Sequence, residues 1–483
     1  MKMPLAISSL FLATSVIAAT PETGADAARR YRVANEQKIV GELLRFLSIP
    51  NVASDTPNIE KNAAAIVEMF ARRGIEARLL RVSGAPPLVV ADVRAPRAKR
   101  TIAFYAHYDG QPVDPSKWDT DPWVPVEKEG RIYARSASDD KSPIVALLAA
   151  LDALKAANIK PSVNLKFVFE GEEEAGSPHL DQYLEKFAAD LSPDAWIMCD
   201  GPVHQSRRPL LFFGVRGVTG GELTVYGPSR ALHSGHYGNW APNPIVMLTG
   251  LIASMRNDEG RILIDGYYDD VQPVSDAERA ALARAPAFDD EIQRELALGR
   301  TEGEAVLNER ILQPALNLRG ISGGNVGERA SNSIPAEAHA SFDLRLVPSQ
   351  SPERVQQLVE RHITKQGFFI VRDTPDAATR MAHPKIAKVI WGHGYPAART
   401  AMDLPISRDV IRVATAATGG EPVLLPSLGG SIPIHLFQRG GRVPVIGVPI
   451  VNHDNNQHAA NENLRLQNLW DGIELYAALF AGL

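Results

Sequence analysis

The feature that most narrows the fold is a series of short, mostly apolar runs spaced along the chain: Leu88–Val93, Ile102–Ala106, Val163–Phe169, Ala195–Cys199 and Val443–Val448. Each is too short for an ordinary helix, and hydrophobicity with little alternation fits strands covered on both faces. Between and before them lie segments with helical apolar spacing. Ile39, Leu43, Leu44 and Leu47 make one stripe within residues 36–47, and Ala65, Ile66, Met69 and Phe70 another within residues 59–73. Strands and helices taking turns imply an α/β unit with a largely parallel sheet.

The middle of the chain has a different texture. Gly220–Tyr226 and Ala338–Leu346 alternate apolar and polar residues, as half-exposed antiparallel strands do. Ser351–Lys365 reads as an amphipathic helix with Ser351 as N-cap and Pro352 at its first position. Residues 213–393 are therefore expected to form an α+β domain inserted between two parts of the α/β domain, 20–212 and 394–483. The Gly/Pro-rich stretch Gly392–Pro396 would be the return linker. A chain of 483 residues is long enough for two or three such domains.

Residues 1–19 stand apart. Lys2 precedes an apolar stretch from Leu5 to Ile17, followed by the small pair Ala18 and Ala19. This is the layout of a secretory signal, and the stretch is too short for a stable membrane anchor. Export to the periplasm or the exterior is expected. Cleavage would remove one Lys and no acid, taking the formal charge from −5 to −6. A mildly acidic chain without a dense Lys/Arg stripe is a poor partner for nucleic acid. The single cysteine, Cys199, cannot form an internal disulfide, and a chain with a large core does not need one.

Several apolar runs lead into residues that bind metals. Ile102–Ala106 runs into His107 and Asp109, Val163–Phe169 into Glu170, Glu172, Glu173 and Glu174, and Ala195–Cys199 into Asp200, while His453 and His458 follow Val443–Val448. In open parallel sheets, ligands gather beyond the carboxyl ends of the strands. Taken singly, a histidine near a strand end or a run of glutamates is ordinary. Acids crowded into the tight turn Glu170-Gly-Glu-Glu-Glu-Ala-Gly-Ser need a cation, and mixed imidazole and carboxylate ligands suit zinc, cobalt or manganese.

Five ordered motifs resemble those of the M20 metallopeptidases: Tyr105-Ala-His-Tyr-Asp-Gly-Gln-Pro, Ser138-Asp-Asp-Lys, Glu170-Gly-Glu-Glu-Glu-Ala-Gly-Ser, Asp200-Gly and His458-Ala-Ala-Asn-Glu. Trp118 and Pro122-Trp123 point to the carnosinase-like dipeptidase branch. The resemblance covers roughly residues 35–480. It implies a zinc-peptidase-type three-layer α/β catalytic domain with an inserted α+β lid and dimerisation domain. It also implies two divalent metal ions, most simply zinc, with cobalt or manganese as alternatives.

Carried over by position, the resemblance implies that His107, Asp139 and Asp200 hold one ion while Asp139, Glu174 and His458 hold the other, so that Asp139 bridges. It implies a cis bond between Asp139 and Asp140. Asp109 would accept a hydrogen bond from the ring nitrogen of His107 that faces away from the metal. Glu173 would be the general base on a bridging water whose pKa two cations draw toward about 7. Ser142 departs from the family's usual glycine, and it is expected to open a helix, leaving the ligand set intact.

In the inserted domain, Leu232-His-Ser-Gly-His-Tyr-Gly, Asn332-Ser-Ile-Pro and Asp343-Leu-Arg-Leu-Val-Pro resemble family segments. They imply that His233 stabilises an oxyanion in the neighbouring subunit of a homodimer, that Asn332 meets the substrate, and that Arg345 grips its terminal carboxylate. Gly430 and Ser431, in Gly429-Gly-Ser-Ile-Pro, would contact the same carboxylate. The expected activity is hydrolysis of dipeptides or short peptides with a free C-terminus. An N-acyl-amino-acid deacylase on the same site, or a secreted binding protein that has lost catalysis, are the alternatives.

Overall fold

The computed structural model describes residues 20–438 and 442–483; the leader expected over residues 1–19 lies outside the described residues. Eight strands form one mixed sheet in the order Ala77–Leu80, Leu88–Val93, Asn164–Glu170, Thr101–His107, Ala195–Met198, Val445–Gly447, Leu210–Phe212 and Val423–Leu425. The four from Asn164–Glu170 to Val445–Gly447 run parallel. Antiparallel pairs flank them, with Leu88–Val93 opposed to both of its neighbours and Val445–Gly447 opposed to Leu210–Phe212. The sheet is thus mixed, parallel through its centre and again in the edge pair of Leu210–Phe212 with Val423–Leu425. An apolar run reports cover on both faces and says nothing of strand direction, which is why Leu88–Val93 read like the parallel strands.

Neighbouring residues of one strand show the cover. Phe104 meets Phe480 edge-on at 5.0 Å on one face, and Tyr105 meets Phe437 at 4.9 Å on the other. Helices Pro21–Leu47, Lys141–Ala156 and Leu466–Gly482 form the layer on the Phe104 side. Leu180–Lys186 and Ile434–Gln438 lie on the other side, where Phe437 also packs on Trp196 at 4.7 Å. Each such aromatic side chain taken from water contributes about 1.5–3 kcal/mol. The result is a three-layer α/β/α domain whose central strands are pinned from both faces.

Helix Pro21–Leu47 is longer than its apolar stripe suggested, and it bends at Asn35, where the backbone leaves helical geometry. Its first half buries Ala25, Ala27 and Ala28 rather than large side chains. Gly24 brings it so close to the last helix that a Cβ there would lie 2.6 Å from the Ala477 carbonyl.

The second sheet is five-stranded, in the order Ala315–Ser322, Glu337–Leu346, Gly217–Tyr226, Ile386–Trp391 and Phe369–Val371. Glu337–Leu346 alternates buried and less buried residues along its whole length. Helices Pro244–Met255 and Pro352–Lys365 close its apolar face, with Val355 and Val359 of the second packed in one core with Leu223, Val225 and Leu344 of the strands. Ser351 caps the second of these by accepting from Arg354 N. This is the lid of the fold, and it rejoins the catalytic domain where Tyr395 pairs with Val218.

Candidate functional site

The parallel strands end side by side and deliver their polar residues to one rim. His107 is the last residue of Thr101–His107, Asp200 lies just past Ala195–Met198, and the glutamate turn follows Asn164–Glu170. That turn is tight for two reasons. Gly171 lies against the Tyr108 ring, where a Cβ would sit 2.5 Å from the phenol oxygen, and Gly176 takes a left-handed φ of 88° to end the turn.

Two clusters of ligand-type atoms result, each with its atoms within 4.8 Å of one another: His107, Asp140 and Asp200, and Asp139, Glu174 and His458. Asp139 reaches both, through Oδ1 to His107 Nε2 at 2.9 Å and Oδ2 to His458 Nε2 at 3.1 Å. His458 Nε2 is also 3.1 Å from Glu174 Oε2. All five residues read from the sequence as ligands therefore meet. The peptide bond between Asp139 and Asp140 is cis, and Ser142 lies in the first turn of helix Lys141–Ala156. His453 is exposed and outside both clusters.

Asp109 is fully buried and does more than expected. Its Oδ1 is 3.4 Å from His107 Nδ1, which lies nearer, at 3.2 Å, to the Asp109 carbonyl. Its two carboxylate oxygens accept from the backbone N–H groups of Glu173 and Glu174, each at 3.0 Å. One side chain thus sets both the imidazole and the glutamate turn.

The sequence reading passed over Glu462, the last residue of the His458-Ala-Ala-Asn-Glu motif. It is fully buried, and its Oε1 accepts from Ser138 N, Ser138 Oγ and Asp139 N. Its Oε2 accepts from Arg135 Nη1 and Ser136 N. Gln111 and Gln457 were also passed over; their amides donate to Glu174 Oε2 and Asp139 Oδ2, each at 2.7 Å. Their signal in sequence was position, Gln111 inside the first matched motif and Gln457 just before the last. Asp140 was read only as the second half of the cis bond, yet it is fully buried with Oδ1 unpartnered among the described residues.

So many acids in one dry place repel one another. Burial and the neighbouring Asp139 charge push the Asp200 carboxyl up to about 7. Burial raises Glu173 well above the carboxylate range, against the His107 imidazole and with the help of Asp200, Asp139 and Asp109. Burial alone would lower His107, but its bonds to Asp109 and Asp139 hold it well above the usual value. Bonds to Asp139 and then Glu174 lift His458 to about 10. Four carboxylates around two imidazoles, with an orphaned oxygen on Asp140, make a donor set that fits a pair of divalent cations.

A second grouping joins the lid to the catalytic domain. Arg345 Nε donates to Asp343 Oδ2, and its Nη1 donates to Ser431 Oγ, both at 2.9 Å. The Gly430 carbonyl accepts from Arg216 N at 3.2 Å. Arg345, Gly430 and Ser431 are therefore one assembly drawn from distant segments. His233 and Asn332 form another, since His233 pairs with Ser333 and Ser234 N donates to the Asn332 carbonyl. Both are exposed, and the His233 ring packs against His236 at 4.5 Å rather than on any of the six acids and imidazoles of the two clusters.

Residues 103–481 match the peptidase family M20/M25/M40. The chain belongs to the M20 peptidase family. It is 29% identical to the Cys-Gly metallodipeptidase dug1 of Schizosaccharomyces pombe over 468 residues, 92% of this chain and 96% of the relative. It is 30% identical to the Beta-Ala-His dipeptidase of Homo sapiens, over 91% of this chain and 84% of that protein. Among solved structures, an M20 family metallo-carboxypeptidase from Sulfolobus solfataricus superposes with a TM-score of 0.76 at 29% identity, covering 92% of this chain and 98% of the other. The chain is thus an M20 metallopeptidase of the carnosinase-like branch, and the two sheets are the family's catalytic and lid domains.

Proposed function

We propose that this peptidase hydrolyses the amide bond of dipeptides and other short peptides that end in a free carboxylate. The observation that carries the reading is that Glu173 is buried close enough to His107, Asp200 and Asp139 to feel their charges, while Arg345 of the lid meets Ser431 of the catalytic domain. The relatives named for Cys-Gly and Beta-Ala-His dipeptides support it.

His107, Asp139 and Asp200 would hold one divalent ion, with Asp139, Glu174 and His458 holding the other; zinc, cobalt and manganese all suit these ligands. Such ions supply Lewis-acid polarisation of the scissile carbonyl and acidify a water. Glu173, with its raised affinity for protons, takes the proton of the attacking water and hands it to the leaving amine. Asp109 keeps Glu173 in place through the backbone N–H it accepts. Arg345 orients the substrate by a charge-assisted bond to its carboxylate, beside Gly430 and Ser431, with Asn332 at the lid edge.

His233, exposed and packed on His236 rather than on its own chain's clusters, fits a role in the active site of a second copy. The edge strand Ala315–Ser322 exposes Leu318 and Ile321, and helix Pro244–Met255 exposes Val246, which suits a homodimer through the lid. The leader at residues 1–19 fits export before the enzyme acts, and an uncleaved N-terminus on the purified protein would refute that.

The deciding assay compares wild type, chelated protein and Glu173→Ala on dipeptides and N-acetyl amino acids. Dipeptide cleavage that chelation abolishes, and that Glu173→Ala loses while keeping its metal content, supports the reading. Cleavage that survives complete metal removal sinks it, and turnover confined to N-acyl substrates replaces it with a deacylase.

A further inference from the structure

Where the lid rejoins the catalytic domain, Tyr395 is held from two sides. Its backbone is paired with Val218 at the start of the lid strand Gly217–Tyr226, with Val218 N donating to the Tyr395 carbonyl at 3.0 Å and Tyr395 N to the Val218 carbonyl at 2.9 Å. Gly217 makes the approach possible, since a Cβ there would lie 2.6 Å from the Tyr395 carbonyl oxygen. The side chain crosses to the catalytic domain. Its ring stacks on His435 at 5.4 Å with the planes 9° apart, and its hydroxyl donates to the Ser431 carbonyl at 2.8 Å.

That bond decides which way an amide faces. In a trans peptide the C=O and the following N–H point in opposite directions. With the Gly430 carbonyl taken by Arg216 N and the Ser431 carbonyl taken by Tyr395, the N–H groups of Ser431 and Ile432 are turned away from those donors. Neither N–H makes a hydrogen bond among the described residues. Arg345 Nη1 stands at the same loop, on Ser431 Oγ. The Tyr395 phenol also feels both ends of the cleft, being raised by burial and the Glu173 carboxylate and partly lowered by Arg345.

We propose that Tyr395 is a positioning residue for substrate binding: its hydroxyl holds the Ser431 carbonyl aside so that the Ile432 N–H, with Arg345, receives the substrate's terminal carboxylate. The inference rests on the dipeptidase reading of the site and adds the residue that ties lid position to carboxylate recognition. A substrate without that carboxylate would draw nothing from the bond.

The test uses the full-length, metal-loaded protein, with cysteinylglycine or β-alanyl-histidine as substrate, whichever wild type cleaves, and the C-terminal amide of the same dipeptide as a competitor. Tyr395→Phe keeps the ring on His435 and removes only the hydroxyl. Losing one neutral hydrogen bond is worth about fivefold, so KM for the dipeptide should rise about fivefold, with kcat within about twofold of wild type and the inhibition constant of the amide unchanged. An unchanged KM, an equal loss for dipeptide and amide, or a fall in kcat alone would each overturn the assignment. Absence of any wild-type dipeptide turnover would instead overturn the proposed function, so the two failures are distinguishable.

Discussion

Glu462→Gln is the sharpest perturbation available, because it changes one atom at the hub of the metal-bearing turn. The carboxylate accepts five hydrogen bonds in a site without solvent. If the Gln oxygen replaces Oε1, its NH2 faces Arg135 Nη1 and Ser136 N; if it flips, the NH2 faces Ser138 N and Asp139 N. Either way two buried N–H groups lose their acceptor, at about 1–3 kcal/mol each and more where one is charged. Breaking a buried ion pair by removing one partner costs about 3–5 kcal/mol, and among the described residues the Arg135 guanidinium is left with no anion, beside the Ala459 carbonyl and the Trp118 ring. The expected loss is therefore about 3–5 kcal/mol in urea unfolding of the chelated protein. Asp139 N keeps at best a neutral amide oxygen in place of the carboxylate, so metal affinity should fall about 10–100-fold, as it does when outer partners of ligands are removed. A variant within about 1 kcal/mol of wild type and with unchanged metal affinity would refute this account of Glu462.

Metal removal should carry a pH signature. Burial raises Asp200 from its ordinary 3.8 to about 7, so the folded chelated protein holds a proton there that the unfolded chain has released. This contribution is fully present below about pH 4 and is lost as pH rises to about 7, which amounts to a few kcal/mol, at roughly 1.4 per unit. Cations favour the ionised carboxylates, so the gap in melting temperature between loaded and chelated protein should widen from pH 5 to 7; a constant gap would contradict it. For His233, mixing two inactive variants, His233→Ala and Glu173→Ala, should restore about a quarter of wild-type activity, because a randomly mixed dimer contains one site with an intact base and an intact partner histidine. No recovery after subunit exchange would mean that His233 does not act across the dimer.

How much could be read in advance depended on where the information sat. Strand ends carrying His107, Glu170 and Asp200 were visible because burial on both faces writes a local apolar run, and a polar residue just beyond it marks the rim. The first half of helix Pro21–Leu47 was invisible for the opposite reason. It packs by being small, with Gly24 and three alanines against the last helix, and small residues leave no apolar stripe.

The order of residues along the chain settled the alternation of strands and helices, the acids and imidazoles at the strand ends and the amphipathic face of Pro352–Lys365, since each depends on near neighbours only. Tertiary structure alone decided the antiparallel flanks of the large sheet, the convergence of Glu462 on Ser138 and Asp139 more than three hundred residues away, and the meeting of Arg345, Ser431 and Tyr395. Those contacts join segments that share no local pattern. They exist because two cores, each closed by its own helices, fix the loops between them at hydrogen-bonding distance.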